Sequence, residues 1–316
     1  MSHLLKRNEG LTEGLQRVSQ ELLSDLLQAI GREKLTPGQV HDARKIIKNL
    51  RAMLRLTRGA LSDEARRAGN QALRKLAGPL SGPRDAVVTL AAFEDVYHEG
   101  LDGDPRPKVE SSWATQLHQS LAEKAHALVP VESYQDGAEE VRRLGGQLLP
   151  FEDVQSKGGR RKKGGDGSWE TIVHEGLRKT YCQGRGLMDQ VVANPDSSDE
   201  EWHELRKRVK DLGYQLTLLK KVRGVRPLLR KLDKAGTALG DARDLTLLRD
   251  SLGNLQDKGE FTPADRLTYQ KLLTHIKERS QSLHGRALKV IGGVYRRGSK
   301  RFAARLAKRF RQWQVG

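Results

Sequence analysis

Cysteine occurs once in the 316 residues, at Cys182, so no internal disulfide can form and no thiolate cluster can hold a metal. A reducing, cytoplasmic setting is expected. Aromatic residues make up 5% of the chain, a scarcity that argues against rows of stacking platforms for nucleobases. No run approaches the roughly 18 apolar residues of a membrane span, and residues 1–31 lack the apolar core of a signal peptide. Acids are in deficit too: 40 aspartates and glutamates face 57 lysines and arginines, a net charge of +17.

The location of that excess is more informative than its size. Residues 41–59, 203–221 and 286–311 carry 6, 6 and 10 basic residues against 1, 2 and 0 acids, while the remainder of the chain is close to neutral. Charge focused in this way implies a polyanionic partner. Length and a leucine- and alanine-rich composition permit sizeable helical cores.

What is present is helix periodicity, and it occurs twice. At a constant offset of 162, Glu13-Gly14-Leu15 matches Glu175-Gly176-Leu177 and His41 matches His203. Thr36-Pro37-Gly38-Gln39, which reads as a capping box with proline at the first helical position, matches Ser198-Asp199-Glu200-Glu201. Farther on, Leu73-Arg74-Lys75-Leu76 pairs with Leu229-Arg230-Lys231-Leu232, and Leu80-Ser81-Gly82-Pro83-Arg84-Asp85 with Leu239-Gly240-Asp241-Ala242-Arg243-Asp244. The chain is a duplication.

The patterning predicts helices near 9–30, 38–58, 62–77, 84–98 and 110–128, then 169–193, 199–222, 226–238, 242–256, 263–290 and 297–314. No alternating β-branched run suggests a sheet. Short connections favour antiparallel bundles, giving one helical repeat over 1–151 and a second over 169–316. Between them, 152–168 contains Lys157-Gly158-Gly159-Arg160-Arg161-Lys162-Lys163-Gly164-Gly165, which reads as a solvated basic tether.

Each repeat carries the same stripe: His41-x-x-Arg44-Lys45-x-x-Lys48 and His203-x-x-Arg206-Lys207-x-x-Lys210. On a helix His41, Arg44, Lys48, Arg51 and Arg55 fall at about 0°, −60°, −20°, −80° and −40°. Ile46, Ile47, Leu50, Met53 and Leu54 take the other side. His203, Arg206, Lys207, Lys210 and Tyr214 share an arc of about 100° in the same way. A solvated face usually mixes signs, because like charges one turn apart destabilise a helix. These stripes hold little acid, and both copies keep the unfavourable arrangement, so a bound anion between them is the better reading. Arginine forks and lysine point charges suit phosphate oxygens. Histidine adds a donor that anions would favour in its protonated form, so binding is expected to tighten somewhat below neutral pH.

Arg84-Asp85 and Arg243-Asp244 sit near expected helix starts, where the aspartates would serve the macrodipole and the arginines join the site. Arg178 and Arg185, with Tyr181 between them, form a weaker basic rung. The remaining histidines, among them His98, His118, His126, His174, His275 and His284, lack metal-ligand spacing. Asp241 and Asp244 alone make a poor metal site, and no phosphate-binding loop, nucleophile elbow or acid–base carboxylate pair occurs. No catalytic residue, cofactor or metal is therefore expected.

His41-Asp42-Ala43-Arg44-Lys45-x-x-Lys48-x-Leu50-Arg51, Gly176-Leu177-Arg178-Lys179-Thr180-Tyr181, His203-Glu204-Leu205-Arg206-Lys207-Arg208-Val209-Lys210-Asp211-Leu212-x-Tyr214 and Leu239-Gly240-Asp241-Ala242-Arg243-Asp244 together resemble the CHAD family, the conserved histidine α-helical domain. The resemblance spans nearly the whole chain. It implies an all-α fold of two four-helix bundles related by a pseudo-twofold axis, with basic faces lining a groove or pore that binds inorganic polyphosphate. By matching position the contacts would come from His41, Arg44, Lys45, Lys48 and Arg51, with His203, Arg206, Lys207 and Lys210 opposite and Arg84 and Arg243 following from the Arg-Asp pairs. Gly213 and Thr217 stand where the first stripe has Arg51 and Arg55, so the first half-site should be the more strongly charged. Secondary contacts are expected from Arg178, Arg185, Tyr214, and from Lys300, Arg301 and Arg305 on a closing helix that docks through Phe302, Leu306, Phe310 and Trp313. No Glu-x-Glu-x-Lys signature of the metalloenzyme fused to some family members occurs. The expected partner is inorganic polyphosphate, in the cytoplasm or on polyphosphate granules. Nucleic acid, through its phosphates, is the first rival, and a polyphosphate- or triphosphate-processing enzyme the second.

Overall fold

Thr36 and Ser198 begin equivalent helices in the same way. The hydroxyl of each accepts from the backbone N–H three residues on, at 3.4 Å from Gln39 and 3.3 Å from Glu201. The Gln39 and Glu201 side chains in turn accept from the backbone N–H of Thr36 and Ser198, at 2.9 and 2.8 Å. Two reciprocal capping boxes thus set the start of two 20-residue helices.

A computed structural model describes residues 3–58, 61–98, 112–145, 169–256 and 262–315. The first repeat contributes α1 (Leu11–Ala29), α2 (Pro37–Leu56), α3 (Asp63–Ala77), α4 (Ser81–His98), α5 (Ser112–His126) and α6 (Gln135–Leu144). The second contributes α7 (Trp169–Ala193), α8 (Asp199–Leu218), α9 (Val225–Gln256), α10 (Pro263–Tyr295) and α11 (Ser299–Val315). Two short strands, β1 (Lys34–Leu35) and β2 (Val129–Pro130), pair antiparallel. The fold is all-α. The expected tether at 152–168 lies outside the described residues.

Two expectations are corrected. The sequence suggests a break between 238 and 242, yet α9 runs through it unbroken. Glycine weakens a helix without ending it, whereas the first repeat has Pro79, which has no N–H to donate and whose ring crowds the preceding turn, so α3 and α4 are separate. Asp244 therefore lies mid-helix and does not serve a helix start. The second correction is α6, an amphipathic helix whose Gly137 lies so close to the backbone of Leu76 that a Cβ there would stand 2.7 Å from its Cα.

The two repeats share one apolar core, in which Leu15, Ile47, Leu50 and Leu76 belong to the same cluster as Leu205, Leu216, Leu248 and Ile291. Helix α2 packs on both α7 and α8, and α4 packs on α9. The glycine shared by the two Glu-Gly-Leu motifs has a packing reason in each copy. A Cβ on Gly14 would meet the Glu9 and Leu5 side chains, and one on Gly176 would lie 2.0 Å from the Leu56 carbonyl oxygen. Gln215, fully buried, ties the repeats together by donating to the Thr180 hydroxyl at 3.0 Å and the Ala52 carbonyl at 3.3 Å.

Candidate anion-binding cleft

Because α2 buries Val40, Ala43, Ile47, Leu50 and Met53, and α8 buries Leu205, Val209, Leu212 and Leu216, their basic sides are left to face a common space. That space is a cleft of about 1750 Å³. Its walls hold His41, Arg44, Lys45, Lys48, Arg51, Arg55 and Arg84 from the first repeat and His203, Arg206, Lys207, Lys210 and Arg243 from the second, with Tyr214 beside them. Seventeen lysines and arginines line the cleft against five carboxylates, so the unliganded cleft is strongly positive.

Space for the long cations comes from glycine. The Lys210 side chain runs across Gly236, where a Cβ would stand 2.8 Å from its Cε, and Arg206 lies over Gly240. On the first side Arg44 donates to the Ser81 hydroxyl at 2.7 Å and the Ala77 carbonyl at 3.3 Å, and Arg51 donates through Nε to Asn70 at 3.0 Å. These bonds hold α2 cations against α3 and α4. Several buried atoms still lack a partner: Nε of Arg44, Nε of Arg206 and Nδ1 of His203. Unsatisfied polar atoms of this kind are costly.

The titration behaviour of the wall follows from crowding. Desolvation, then Arg44, Arg206, Arg84 and Lys210, pushes the Lys48 ammonium down to about 8. Burial first and Arg55 second bring Arg51 to about 10, which leaves it charged at neutral pH. Burial, then Lys207, Arg243 and Arg206, lowers His203 to about 4, and burial and Arg84 lower His41. Both histidines are thus driven toward the neutral form by burial and by the cations around them. Asp244, among Arg206, Arg84, Asp241 and Asp85, is raised to about 6 chiefly by burial.

Arg55 departs from its expected role. It donates to Asp211 at 3.1 Å, and Arg208 donates to the other carboxylate oxygen at 3.1 Å. Lys207 is likewise held by Glu204 at 2.5 Å. The cleft therefore has more internal compensation than the stripes suggest, and Arg55 acts as a clamp between repeats.

The secondary residues divide. Tyr214 lines the cleft; Arg178, Arg185, Lys300, Arg301 and Arg305 do not. Arg185 faces Asp189 at 3.7 Å. Tyr181 is structural: its hydroxyl donates to the carbonyls of Val294 and Arg297 at 2.9 and 2.8 Å, and its ring stacks on Phe302. His284 stacks flat on Trp202 with burial holding it near 4. Conversely, the cleft includes Arg74, Arg230, Lys220, Lys221, Arg223 and Arg226, none of which the stripes single out. A signal for two of them existed, since Arg74 and Arg230 occupy matching positions of the duplicated Leu-Arg-Lys-Leu motif.

A family model of the CHAD domain matches residues 17–253. The crystal structure of the CHAD domain from the plant Ricinus communis aligns over 94% of this chain and 95% of that chain, with a TM-score of 0.60 and 16% identity. Among curated proteins, none matches the sequence.

Proposed function

This chain belongs to the CHAD family, and from that premise we propose that its cleft binds inorganic polyphosphate without transforming it. The observation that carries the reading is the meeting of two cationic stripes on one cleft, with seventeen lysines and arginines against five carboxylates. A chain of phosphates offers a closely spaced row of acceptor oxygens, which suits arginine forks and lysine ammonium groups on both walls. Nucleic acid presents phosphates farther apart and adds bases to be accommodated. Tyr214 is the one aromatic ring among the wall residues, whereas single-strand binders usually offer several for stacking. A lone cysteine is in keeping with a reducing, cytoplasmic setting.

The test is competition. Labelled long-chain polyphosphate is bound first, then challenged with unlabelled polyphosphate, DNA, RNA, ATP and orthophosphate. Unlabelled polyphosphate should displace at the lowest concentration, and orthophosphate should fail because it cannot bridge many cations at once. A site neutralising about six phosphates should lose roughly 10²- to 10³-fold in affinity between 50 and 200 mM salt, by analogy with nucleic acid. Displacement by DNA or RNA at lower concentrations than polyphosphate would overturn the reading. So would release of orthophosphate during incubation, as to its non-enzymatic part.

A further inference from the structure

The closing helix α11 carries its charge in a pattern. Arg301, Arg305 and Arg309 recur every four residues, so they fall within about 80° on one side of the helix, beside the buried Phe302, Leu306 and Phe310. Among the described residues none of the three forms an ion pair. No acid follows Glu278 in the sequence. An ordinary solvated face would alternate signs, because like charges one turn apart destabilise a helix. Burial first, then Arg309 and Arg297, press Arg305 below its usual value.

The stripe also connects to the cleft. The turn between α8 and α9 places Lys220, Lys221 and Arg223 on the cleft wall and ends at Gly224. Gly224 has φ of 82°, and a Cβ there would stand 2.3 Å from Nη1 of Arg309. The guanidinium of Arg309 therefore rests on the rim itself. From that rim the row leads outward through Arg305 to Arg301, over about 12 Å of helix. Lys300 lies about 180° from Arg309 around the helix and is not part of the row.

We propose that Arg301, Arg305 and Arg309 form a second polyanion-binding segment, continuous with the cleft at the Lys220–Gly224 rim, that engages only chains long enough to leave the cleft. This rests on the reading of the cleft as a polyphosphate site. The segment makes the protein selective for length: a short polyphosphate is held by the cleft alone, and a long one gains contacts with α11.

The experiment compares tripolyphosphate with long-chain polyphosphate on the full chain and on an Arg305→Gln/Arg309→Gln variant, by calorimetry across a salt series. Glutamine keeps helix propensity and removes only charge, and circular dichroism checks the fold. An Arg301→Gln variant, altered at the far end of the row on an exposed side chain, provides a second reading should the rim tolerate substitution poorly. The double variant should bind long chains at least about tenfold more weakly, with a salt slope shallower by about 1.4, corresponding to two phosphate contacts at about 0.7 each. Arg301→Gln should show the same effect in smaller degree, and tripolyphosphate affinity should stay within about twofold in both. Equal loss at both lengths would place these residues in the cleft site, and unchanged long-chain affinity would make α11 a solvated surface. Either result overturns the segment while leaving the cleft reading standing. Failure of the unaltered protein to bind polyphosphate of any length would overturn both.

Discussion

Arg55 and Asp211, 156 positions apart, meet at 3.1 Å where α2 packs on α8, and Arg208 holds the second carboxylate oxygen. One carboxylate thereby bridges a cation from each repeat on the cleft wall and leaves the cluster with a net positive charge. Burial raises the Asp211 carboxyl, while Arg55, Arg208 and Arg51 pull it down. The pair links the two repeats across the wall that Arg44, Lys48, Arg206 and Lys210 also line.

Removing that acid should therefore damage stability more than binding. The side chains of Arg55 and Asp211 retain 23% and 13% exposure, so Asp211→Ala should cost about 2–4 kcal/mol, somewhat less than stranding a fully interior charge. Denaturant titration measures the loss, and Arg55→Met with Asp211→Leu should recover part of it. Polyphosphate affinity of the folded single variant should not decline, since a cation is released into the cleft.

The opposite signature is expected of Lys48 and Lys210. Burial and the surrounding cations depress Lys48, and burial and then Arg206 depress Lys210 against the opposing pull of Asp233 and Asp241, so replacing both with methionine removes two desolvated charges. Stability should rise by a few tenths to about 1 kcal/mol, while loss of two charge-assisted contacts should weaken polyphosphate binding by roughly 10²- to 10⁴-fold. Thermal melting and calorimetry on one preparation would show both, and a fall in each together would mean these lysines hold the fold.

Acidity should act through Asp244 and Lys48. Asp244 gains a negative charge as pH rises through about 6, and Lys48 loses a positive one near 8. Both changes subtract positive charge from the cleft, so affinity should fall in two steps between pH 5 and 9. His203, near 4, contributes little in this window. For stability the Lys48 contribution has the reverse slope: its folded value lies below its unfolded one, so deprotonation between about 8 and 10.5 favours the folded state. Asp244→Asn should erase the lower step in binding and Lys48→Met the upper; a profile unchanged by both would assign the titration elsewhere.

Gly176→Ala tests how closely the repeats must approach. A Cβ there falls 2.0 Å from the Leu56 carbonyl oxygen, so α7 must retreat from α2 at a cost of about 1–3 kcal/mol or more. Gly38→Ala, where a Cβ meets nothing within 4 Å, serves as the control. Thermal melting should separate the two clearly.

Much of this was legible in the chain because duplication shows each signal twice. Capping boxes and helix register follow from spacing alone, whereas the convergence of His41 to Lys48 with His203 to Lys210 on one cleft is implied by the family resemblance. What the sequence concealed depends on partners distant along the chain. Asp211 reads as an ordinary partner of Arg208 one turn back on its own helix until Arg55 arrives from the other repeat. Gly240 reads as a stop because glycine marks many helix ends, yet here the helix runs through it, and Gly236 one turn earlier makes room for Lys210. Strands of two residues each carry no periodicity at all, and the α8–α9 turn gives no hint in one dimension that it forms part of a wall.

The unbroken course of α9 makes the two jaws of the cleft unlike in shape. Arg230 and Arg243 stand about 20 Å apart on one continuous rod, and bending it would sever backbone hydrogen bonds along its length. The facing jaw turns at Pro79, where α3 ends and α4 begins, and that corner is pinned: the Ser81 N–H donates to the Gly78 carbonyl at 3.0 Å, and Arg44 donates to both the Ala77 carbonyl and the Ser81 hydroxyl. A cation of α2 thus fixes the bend in its own jaw, and a straight row of cations on α9 faces an angled wall whose shape is already set.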